Sequence, residues 1–145
     1  MIILIVDGCS RGNPGPMSYG YVVWDRVNSR RMTPVHRHSE WKGYGTAPES
    51  EYQAIIEGLK YVISKYSNQP VFIYCDSQLV IYQINEKWQC KHENIKPLFA
   101  EVKDWSVKAA SKGLDLNFCW VPRQLTVLAD KEANRREEQD AVSNL

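Results

Sequence analysis

The sequence predicts an α/β fold in which a mixed β-sheet carries helices on both faces. Three observations predict it: three strand-like segments open the chain, strand-like and helix-like segments then alternate, and 43% of the 145 residues are apolar. This length and composition are typical of one globular domain. We therefore expect residues 1–145 to form a single domain around one hydrophobic core.

The first three strands are predicted as an antiparallel meander. Residues Ile2–Val6 form a continuous apolar run with β-branched side chains, which is typical of a fully buried strand. Residues Gly8–Pro16 are rich in glycine and proline and predict a turn, and Tyr19–Trp24 predicts the second strand. Residues Arg30–Tyr44 predict a third strand with a polar face.

The clearest helix is predicted over Pro48–Tyr66. Proline is favoured in a first helical turn, Glu49 and Glu51 suit a helix N-terminus, and apolar side chains recur at helical spacing. The remaining predicted elements are a strand over 71–75, helices over 78–85 and 95–111, a strand over 114–121 and a helix over 126–139.

The composition argues against several classes of protein. No run approaches the ~20 apolar residues of a membrane span, and the N-terminal apolar run lacks a basic lead-in, so we expect a cytoplasmic protein. The cysteines are scattered without a Cys-x-x-Cys pair, which argues against a zinc site. We expect Cys75 and Cys119 in the core and Cys9 and Cys90 at the surface. The net charge of +1 is low for a nucleic-acid binder, although basic residues cluster between positions 30 and 42.

Four acidic residues occupy positions that favour a shared site. Asp7 and Asp76 each follow a buried strand-like run, Glu51 lies in the first turn of the long helix, and Asp130 lies near the start of the last helix. If the strands before Asp7 and Asp76 are parallel neighbours, their carboxyl ends meet at one edge of the sheet, where α/β sheets place their sites. Taken singly, each acid also fits a plain role in a turn, a helix cap or a solvated helix end.

Several carboxylates in one small cleft repel one another unless cations neutralise them. Hard oxygen ligands select Mg²⁺ or Mn²⁺. A pair of such ions activates water and stabilises the leaving oxygen of a phosphodiester. The pattern therefore predicts metal-assisted phosphoryl transfer.

The loop Asp7–Gly15 resembles the Asp-Gly-x-x-x-Gly-Asn-Pro-Gly signature of the RNase H type 1 family. Residues 51–59, 74–80 and 129–134 resemble the family's segments around its second, third and fourth acids, in the same order. The resemblance covers nearly the whole chain. It implies the RNase H-like fold, a five-stranded mixed sheet with strands 1–3 antiparallel and strands 4 and 5 parallel to strand 1.

The resemblance also implies an activity, which is hydrolysis of the RNA strand of RNA–DNA hybrids with two Mg²⁺ or Mn²⁺ ions, leaving 5′-phosphate and 3′-hydroxyl ends. In this scheme Asp7 bridges both ions, Glu51 and Asp76 complete one site, and Asp130 helps hold the ion that activates water. The implied partner is the hybrid, and we expect a monomer.

Residues implied to contact substrate lie in several segments, and the RNA 2′-hydroxyl is the group that distinguishes RNA from DNA. The implied substrate-binding set is Gly8, Ser10, Asn13, Thr46, Trp88 and Arg123, with Glu51 also reaching the 2′-hydroxyl.

The sequence departs from the family pattern in its substrate-binding segments. Ala47 and Pro48 stand where members often carry asparagines that touch the hybrid. The loop 120–128 lacks the histidine of many members, so Arg123 either contacts a phosphate there or is a solvated charge. Residues 86–92 are short and weakly basic compared with the tryptophan-containing protrusion of some members, and Trp88 either stacks on the DNA strand or packs on the neighbouring helix.

Two other functions remain open. The lost asparagines and modest charge favour a non-catalytic binding module of the same fold, and fold alone also permits a nuclease acting on DNA or branched substrates. Separately, His36 and His38 alternate on the predicted third strand, so both face one side, where they bind a metal, join Arg37 and Lys42 in phosphate binding, or are solvated.

Overall fold

The computed structural model describes residues 1–26 and 34–127. The predicted mixed sheet is confirmed, with strand order β3-β2-β1-β4-β5. Pairing is antiparallel between β1 and β2 and between β2 and β3, whereas β4 and β5 run parallel to β1. The strands are β1 (Ile2–Ser10), β2 (Gly15–Asp25), β3 (His36–Gly45), β4 (Pro70–Cys75) and β5 (Asp115–Trp120).

Three helices are described: α1 (Ala47–Lys65), α2 (Gln78–Ile84) and α3 (Lys96–Ser111). A capping box starts α1, because the Thr46 side chain accepts from the Glu49 N–H while the Glu49 carboxylate accepts from the Thr46 N–H. Gly58 allows α1 to pack closely on β1, since a Cβ at this position would lie 2.8 Å from Leu4 Cδ1.

One hydrophobic core joins the sheet to all three described helices. Alternate residues of β1 and β4 supply its floor, as the period of a strand requires, and α1 contributes its buried stripe. Its members from β1, β4, α2 and α3 include Ile2, Leu4, Val6, Val71, Ile73, Val80, Ile81, Ile84, Val102 and Ala109. The last predicted helix, over 126–139, lies mostly outside the described residues, although helical conformation is already present at residues 123–127.

Several strand boundaries differ from the sequence-based prediction, and β2 begins at Gly15 instead of Tyr19. The turn predicted over Gly8–Pro16 is shorter, because β1 continues to Ser10 and pairs there with Met17 of β2. The ladder with β2 holds this polar stretch extended although its composition favours a turn. The third strand begins at His36 and not at Arg30; Pro34, which has no backbone N–H to donate, precedes it, and residues 27–33 lie outside the described part.

The cysteines are free thiols, of which Cys75 is buried and Cys9 exposed, as predicted. The predictions for Cys119 and Cys90 are wrong, because Cys119 is only partly buried in β5 and Cys90 packs partly against the core. None of the described helices is long and apolar enough to cross a membrane.

The histidines of β3 face one side of the sheet, as their alternation predicts. The ring centroids of His36 and His38 lie 5.7 and 5.6 Å from that of Tyr21. His36 also stacks on Tyr61 of α1 with a centroid separation of 3.8 Å. Contact with tyrosines, and not simple solvation, is therefore the environment of both rings.

Candidate active site

The parallel pairing of β1 with β4 aligns two of the predicted acids. Ile5 pairs with Tyr74 in this ladder, and Asp7 and Asp76 each lie two residues further along their chains. Asp76 directly follows β4, whereas Asp7 lies within β1 and pairs with Gly20 of β2. Both acids therefore occupy the carboxyl edge of the sheet, as the sequence predicted.

Glu51 reaches this edge because α1 packs unusually close to β1 at Gly8. A Cβ at Gly8 would lie 2.5 Å from the Glu51 backbone nitrogen, a separation that no side chain tolerates. The Glu51 carboxylate is buried and accepts a hydrogen bond from the Gly8 N–H. Burial, followed by the nearby charge of Asp76, raises the pKa of Glu51 to about 8.

A buried thiol completes the contacts of Glu51. Cys75 Sγ donates a hydrogen bond to Glu51 Oε2 at 3.3 Å. Burial and the neighbouring Glu51 charge raise the pKa of Cys75 well above its ordinary value, so the sulfur stays protonated and serves as a donor. The sequence predicted Cys75 only as a core residue, although its position directly before Asp76 was an available signal for a role at the site.

Asp76 is held by three side chains from the end of β5 and the segment that follows. Thr126 Oγ1 donates to Asp76 Oδ2 at 3.0 Å, and Arg123 Nη1 lies 3.7 Å from the same oxygen. Trp120 Nε1 donates to the Asp76 carbonyl oxygen at 3.2 Å. The Asp76 side chain is only 10% exposed, whereas that of Arg123 is 73% exposed. Thr126 and Trp120 were not predicted as site residues, since nothing in their local sequence pattern places them beside Asp76.

The donor atoms at this edge suit a hard divalent cation. Ligand atoms of Glu51, Cys75 and Asp76 lie within 4.8 Å of one another, and among the described residues this is the group with metal-binding spacing. Because the thiol stays protonated, the two carboxylates are the members that would bind an ion, and oxygen donors favour Mg²⁺ or Mn²⁺. Asp7 does not join this group at that spacing, and Asp130 lies outside the described residues.

The predicted substrate-contacting loop is fastened to the start of α1. Ser10 Oγ donates to the Gly45 carbonyl oxygen at 2.7 Å, and Asn13 Oδ1 accepts from the Ala47 N–H at 3.1 Å. Thr46 caps α1. The loop between β1 and β2 and the N-terminus of α1 thus form one connected surface beside Glu51.

Two cavities lie beside α2, and because both are lined by Gln83 we refer to them together as the groove across α2. Its near part is lined by Asn13, Thr46, Pro48, Leu79, Gln83, His92, Asn94 and Ile95. Its far part is lined by Gln83, Glu86, Trp88, Gln89, Cys90, Lys91, Lys96 and Phe99. Gln83 lines both parts. Trp88 packs edge-on against Tyr82 with a centroid distance of 4.8 Å, which favours the packing role, yet the side chain remains 45% exposed along the groove.

The family model described as reverse transcriptase-like matches residues 6–136. The bifunctional protein Rv2228c of Mycobacterium tuberculosis is 33% identical over 142 residues, which cover 98% of this chain and 37% of that protein. The chain therefore spans just over a third of that relative. A ribonuclease H of Lachnoclostridium phytofermentans is 30% identical over 132 residues, covering 83% of this chain and 78% of the relative.

Solved structures show the same likeness. The N-terminal RNase H domain of rv2228c from Mycobacterium tuberculosis superposes with a TM-score of 0.78 at 30% identity, covering 99% of this chain and 98% of that one. LC11-RNase H1, solved in complex with an RNA/DNA hybrid, gives a TM-score of 0.80 at 28% identity, covering 93% and 95%. The sheet order, the acids at its carboxyl edge and these matches together show that the chain belongs to the reverse transcriptase-like family, with an RNase H-like fold.

Proposed function

We propose that this protein is a metal-dependent endoribonuclease that hydrolyses the RNA strand of RNA–DNA hybrids. The observation that carries the proposal is the convergence of the buried Glu51 carboxylate with that of Asp76 at the sheet edge where Asp7 also lies. Support also comes from relatives named ribonuclease H and from the LC11-RNase H1 structure, which contains an RNA/DNA hybrid.

In this proposal Asp7, Glu51, Asp76 and Asp130 hold two Mg²⁺ or Mn²⁺ ions. When bound, such ions activate a water nucleophile and stabilise the leaving oxygen, giving 5′-phosphate and 3′-hydroxyl ends. The chain's own contribution is orientation, because the Cys75 thiol and the Gly8 N–H hold the Glu51 carboxyl group in place.

Substrate contacts would come from surfaces on both sides of the acids. The loop carrying Gly8, Ser10 and Asn13 would meet the RNA strand, where backbone groups and hydroxyls can bond the 2′-hydroxyl. Arg123 extends over Asp76 into solvent, a position from which its guanidinium can bind a phosphate of the scissile strand.

The second strand of the hybrid would lie along the groove across α2. Its far part offers Lys91 and Lys96 to phosphates and the exposed face of Trp88 to a sugar or base. Ala47 donates its backbone N–H to Asn13 in place of offering the side-chain amide found in many members. Hybrid affinity would therefore depend more on the groove than in those members.

Cleavage of an end-labelled hybrid, with duplex DNA, duplex RNA and a branched junction as comparisons, tests the proposal. We expect Mg²⁺- or Mn²⁺-dependent cuts in the RNA strand of the hybrid alone. Asp76→Asn should reduce the cleavage rate by more than the ~10–100-fold that typically follows loss of a residue hydrogen-bonded to a metal ligand. Asp115→Asn, at the exposed start of β5, should leave the rate unchanged.

The outcomes separate the candidate functions. Full activity of Asp76→Asn would contradict the assigned site. Tight binding of the hybrid without cleavage in either metal would favour the binding module, to which the modest net charge of +1 and the absent asparagines also point. Preferential cutting of duplex DNA or the junction would favour a different nuclease specificity.

A further inference from the structure

We infer that the outer face of β1–β3 is a platform for an unpaired segment of the RNA strand that flanks the hybrid. Its defining residues are Trp41 and Tyr44 on the edge strand β3, with Arg11 from the loop after β1; we call them the edge platform. The inference rests on the proposed function for its substrate and concerns a surface separate from the acids and from the groove across α2.

Strand register places the edge platform on the same face of the sheet as Asp7. Residues directly opposite each other in a ladder point to the same side. Asp7 pairs with Gly20, and the next row on this face joins Cys9, Ser18 and Trp41. With strands ~4.8 Å apart and residues ~3.4 Å apart along a strand, Trp41 lies roughly 12 Å from Asp7, which an unpaired strand spans in a few nucleotides.

A bulge turns Tyr44 to this face as well. Tyr44 pairs with Pro16 and Trp41 pairs with Ser18, so two residues of β3 oppose only Met17 of β2. Gly43 within the bulge has a φ of +71°, a conformation that glycine adopts without strain. In a regular strand, residues three positions apart, such as Trp41 and Tyr44, would point to opposite sides.

Both aromatic rings are open to solvent. Trp41 is 56% exposed and Tyr44 is 69% exposed, which are high values for large aromatic side chains. The Arg11 guanidinium lies 4.9 Å from the Trp41 ring centroid, so one face of the indole meets a cation. The exposure that remains leaves aromatic surface on which a nucleobase can stack.

The charge of this face suits a phosphate backbone. Arg11 supplies positive charge beside the Trp41 ring. The neighbouring Glu40 lies on the opposite face, where its carboxylate accepts a 2.7 Å hydrogen bond from Tyr19. Among the described residues of β1–β3 on this face, Asp7 is the acid, so a strand leaving the site meets no further negative charge on them.

Among the described strand residues, those between Asp7 and the edge platform have small side chains. Gly20, Ser18, Ser39 and Cys9 are the residues that the ladders place between them on this face. Side chains of this size do not themselves obstruct a chain of nucleotides lying on these strands. An unpaired strand fits better than a duplex, because only unpaired bases offer their faces to aromatic side chains.

Fluorescence anisotropy with labelled substrates tests the inference. The probes are a short blunt-ended hybrid and the same hybrid with a few unpaired nucleotides at the 5′ or the 3′ end of the RNA strand, or on the DNA strand. Binding is measured in Ca²⁺, and gels verify that the RNA stays intact. We expect one of the RNA extensions to lower the Kd of the unmodified protein.

Substitutions at Trp41 then test whether the edge platform causes this gain in affinity. Trp41→Ala should raise the Kd of that extended hybrid by about 5-fold or more, as stacking energies imply, and leave the Kd of the blunt hybrid unchanged. Trp41→Phe should restore most of the gain, whereas Trp41→Leu should not. Val107→Ala, a truncation on the exposed side of α3, should affect neither probe.

Three results would overturn the inference: no RNA extension tightens binding, Trp41→Ala weakens both probes equally, or only the DNA extension gains affinity. These results are distinguishable from failure of the proposed function. If the protein cuts the blunt hybrid but extensions do not lower its Kd, only the inference of the edge platform is refuted. If the protein binds the extension through Trp41 but cuts no hybrid, only the proposed nuclease activity is refuted.

Discussion

Replacing Glu51 by glutamine should stabilise the metal-free protein above neutral pH while abolishing its cleavage activity. The side chain is only 7% exposed, and its pKa is about 8 because burial and the charge of Asp76 both disfavour the carboxylate. The folded protein therefore holds a proton on Glu51 at pH values where the unfolded chain releases it. Glutamine keeps the shape and removes this ionisation.

The sign and the size of the change in unfolding free energy follow from the linkage between proton binding and folding. Below the ordinary pKa of 4.5 both states carry the proton, and the wild-type protein has no penalty. As the pH rises from 4.5 to about 8, the unfolded state loses its proton first and stability falls. At ~1.4 kcal/mol per pKa unit, the loss is about 2 kcal/mol near pH 6 and on the order of 5 kcal/mol above pH 8. The window closes at about pH 8, where the folded state also ionises.

Urea unfolding in EDTA across this pH range measures the effect. We expect the free energy of unfolding of Glu51→Gln to fall less steeply with pH than that of the wild type, with the two curves meeting at the acidic end. Glu93→Gln is the matched control, because it makes the same chemical change at a side chain that is 86% exposed. Its curve should parallel that of the wild type.

Adding Mg²⁺ or Mn²⁺ should make the wild type more stable than Glu51→Gln, which reverses their order of stability without metal. An ion that binds only the folded state stabilises it by mass action, and the wild type alone keeps the full carboxylate set. If the unfolding free energies of Glu51→Gln and the wild type changed in parallel with pH in the absence of metal, the Glu51 carboxyl group would not be held in a buried, protonated form. If metal stabilised both equally, Glu51 would not be a ligand.

Two further predictions concern the contacts that build the site. Gly8→Ala should displace the first turn of α1 and strongly lower both the cleavage rate and the melting temperature, because the new Cβ would lie 2.5 Å from the Glu51 nitrogen. Gly20→Ala is the control and should have a mild effect, since its Cβ would lie 3.4 Å from the nearest atom. Equal effects of the two substitutions would contradict close packing at Gly8. Thr126→Val should lower metal affinity and kcat by about 10-fold or more because it removes the hydroxyl that donates to Asp76, and Thr126→Ser should restore both. Calorimetric titration with Mn²⁺ measures the metal affinity, and steady-state kinetics separate the effects on kcat and KM. A loss confined to thermal stability would assign Thr126 a purely structural role.

Local sequence pattern predicted the sheet and the placement of most of the acids. Asp76 was predictable because it ends a short apolar run, and Glu51 because it lies in the first turn of a strongly periodic helix. The continuation of β1 to Ser10 was not, since the ladder with β2 overrides the turn preference of Gly8 and its neighbours. Cross-strand partners, unlike periodicity, leave no signal within a single segment.

The same distinction explains which site residues were missed. Cys75, Thr126 and Trp120 act through contacts with residues far away along the chain or with a carboxylate whose position depends on the whole sheet. Tyr44 is another example, because only the bulge opposite Met17 determines which way it faces. The assignment of Asp130 stays a prediction, since this residue lies outside the described part of the chain.

The parallel pairing of β1 with β4 also governs when the site can exist. Asp7 and Asp76 become neighbours only after the intervening strands and α1 have been placed, and such long-range pairings are costly in loop entropy and form slowly. A growing or partly unfolded chain therefore holds the acids apart and binds metal no better than scattered carboxylates do. Because the acids meet through a pairing between residues about 70 positions apart, the proposed hydrolysis of RNA would require the finished fold.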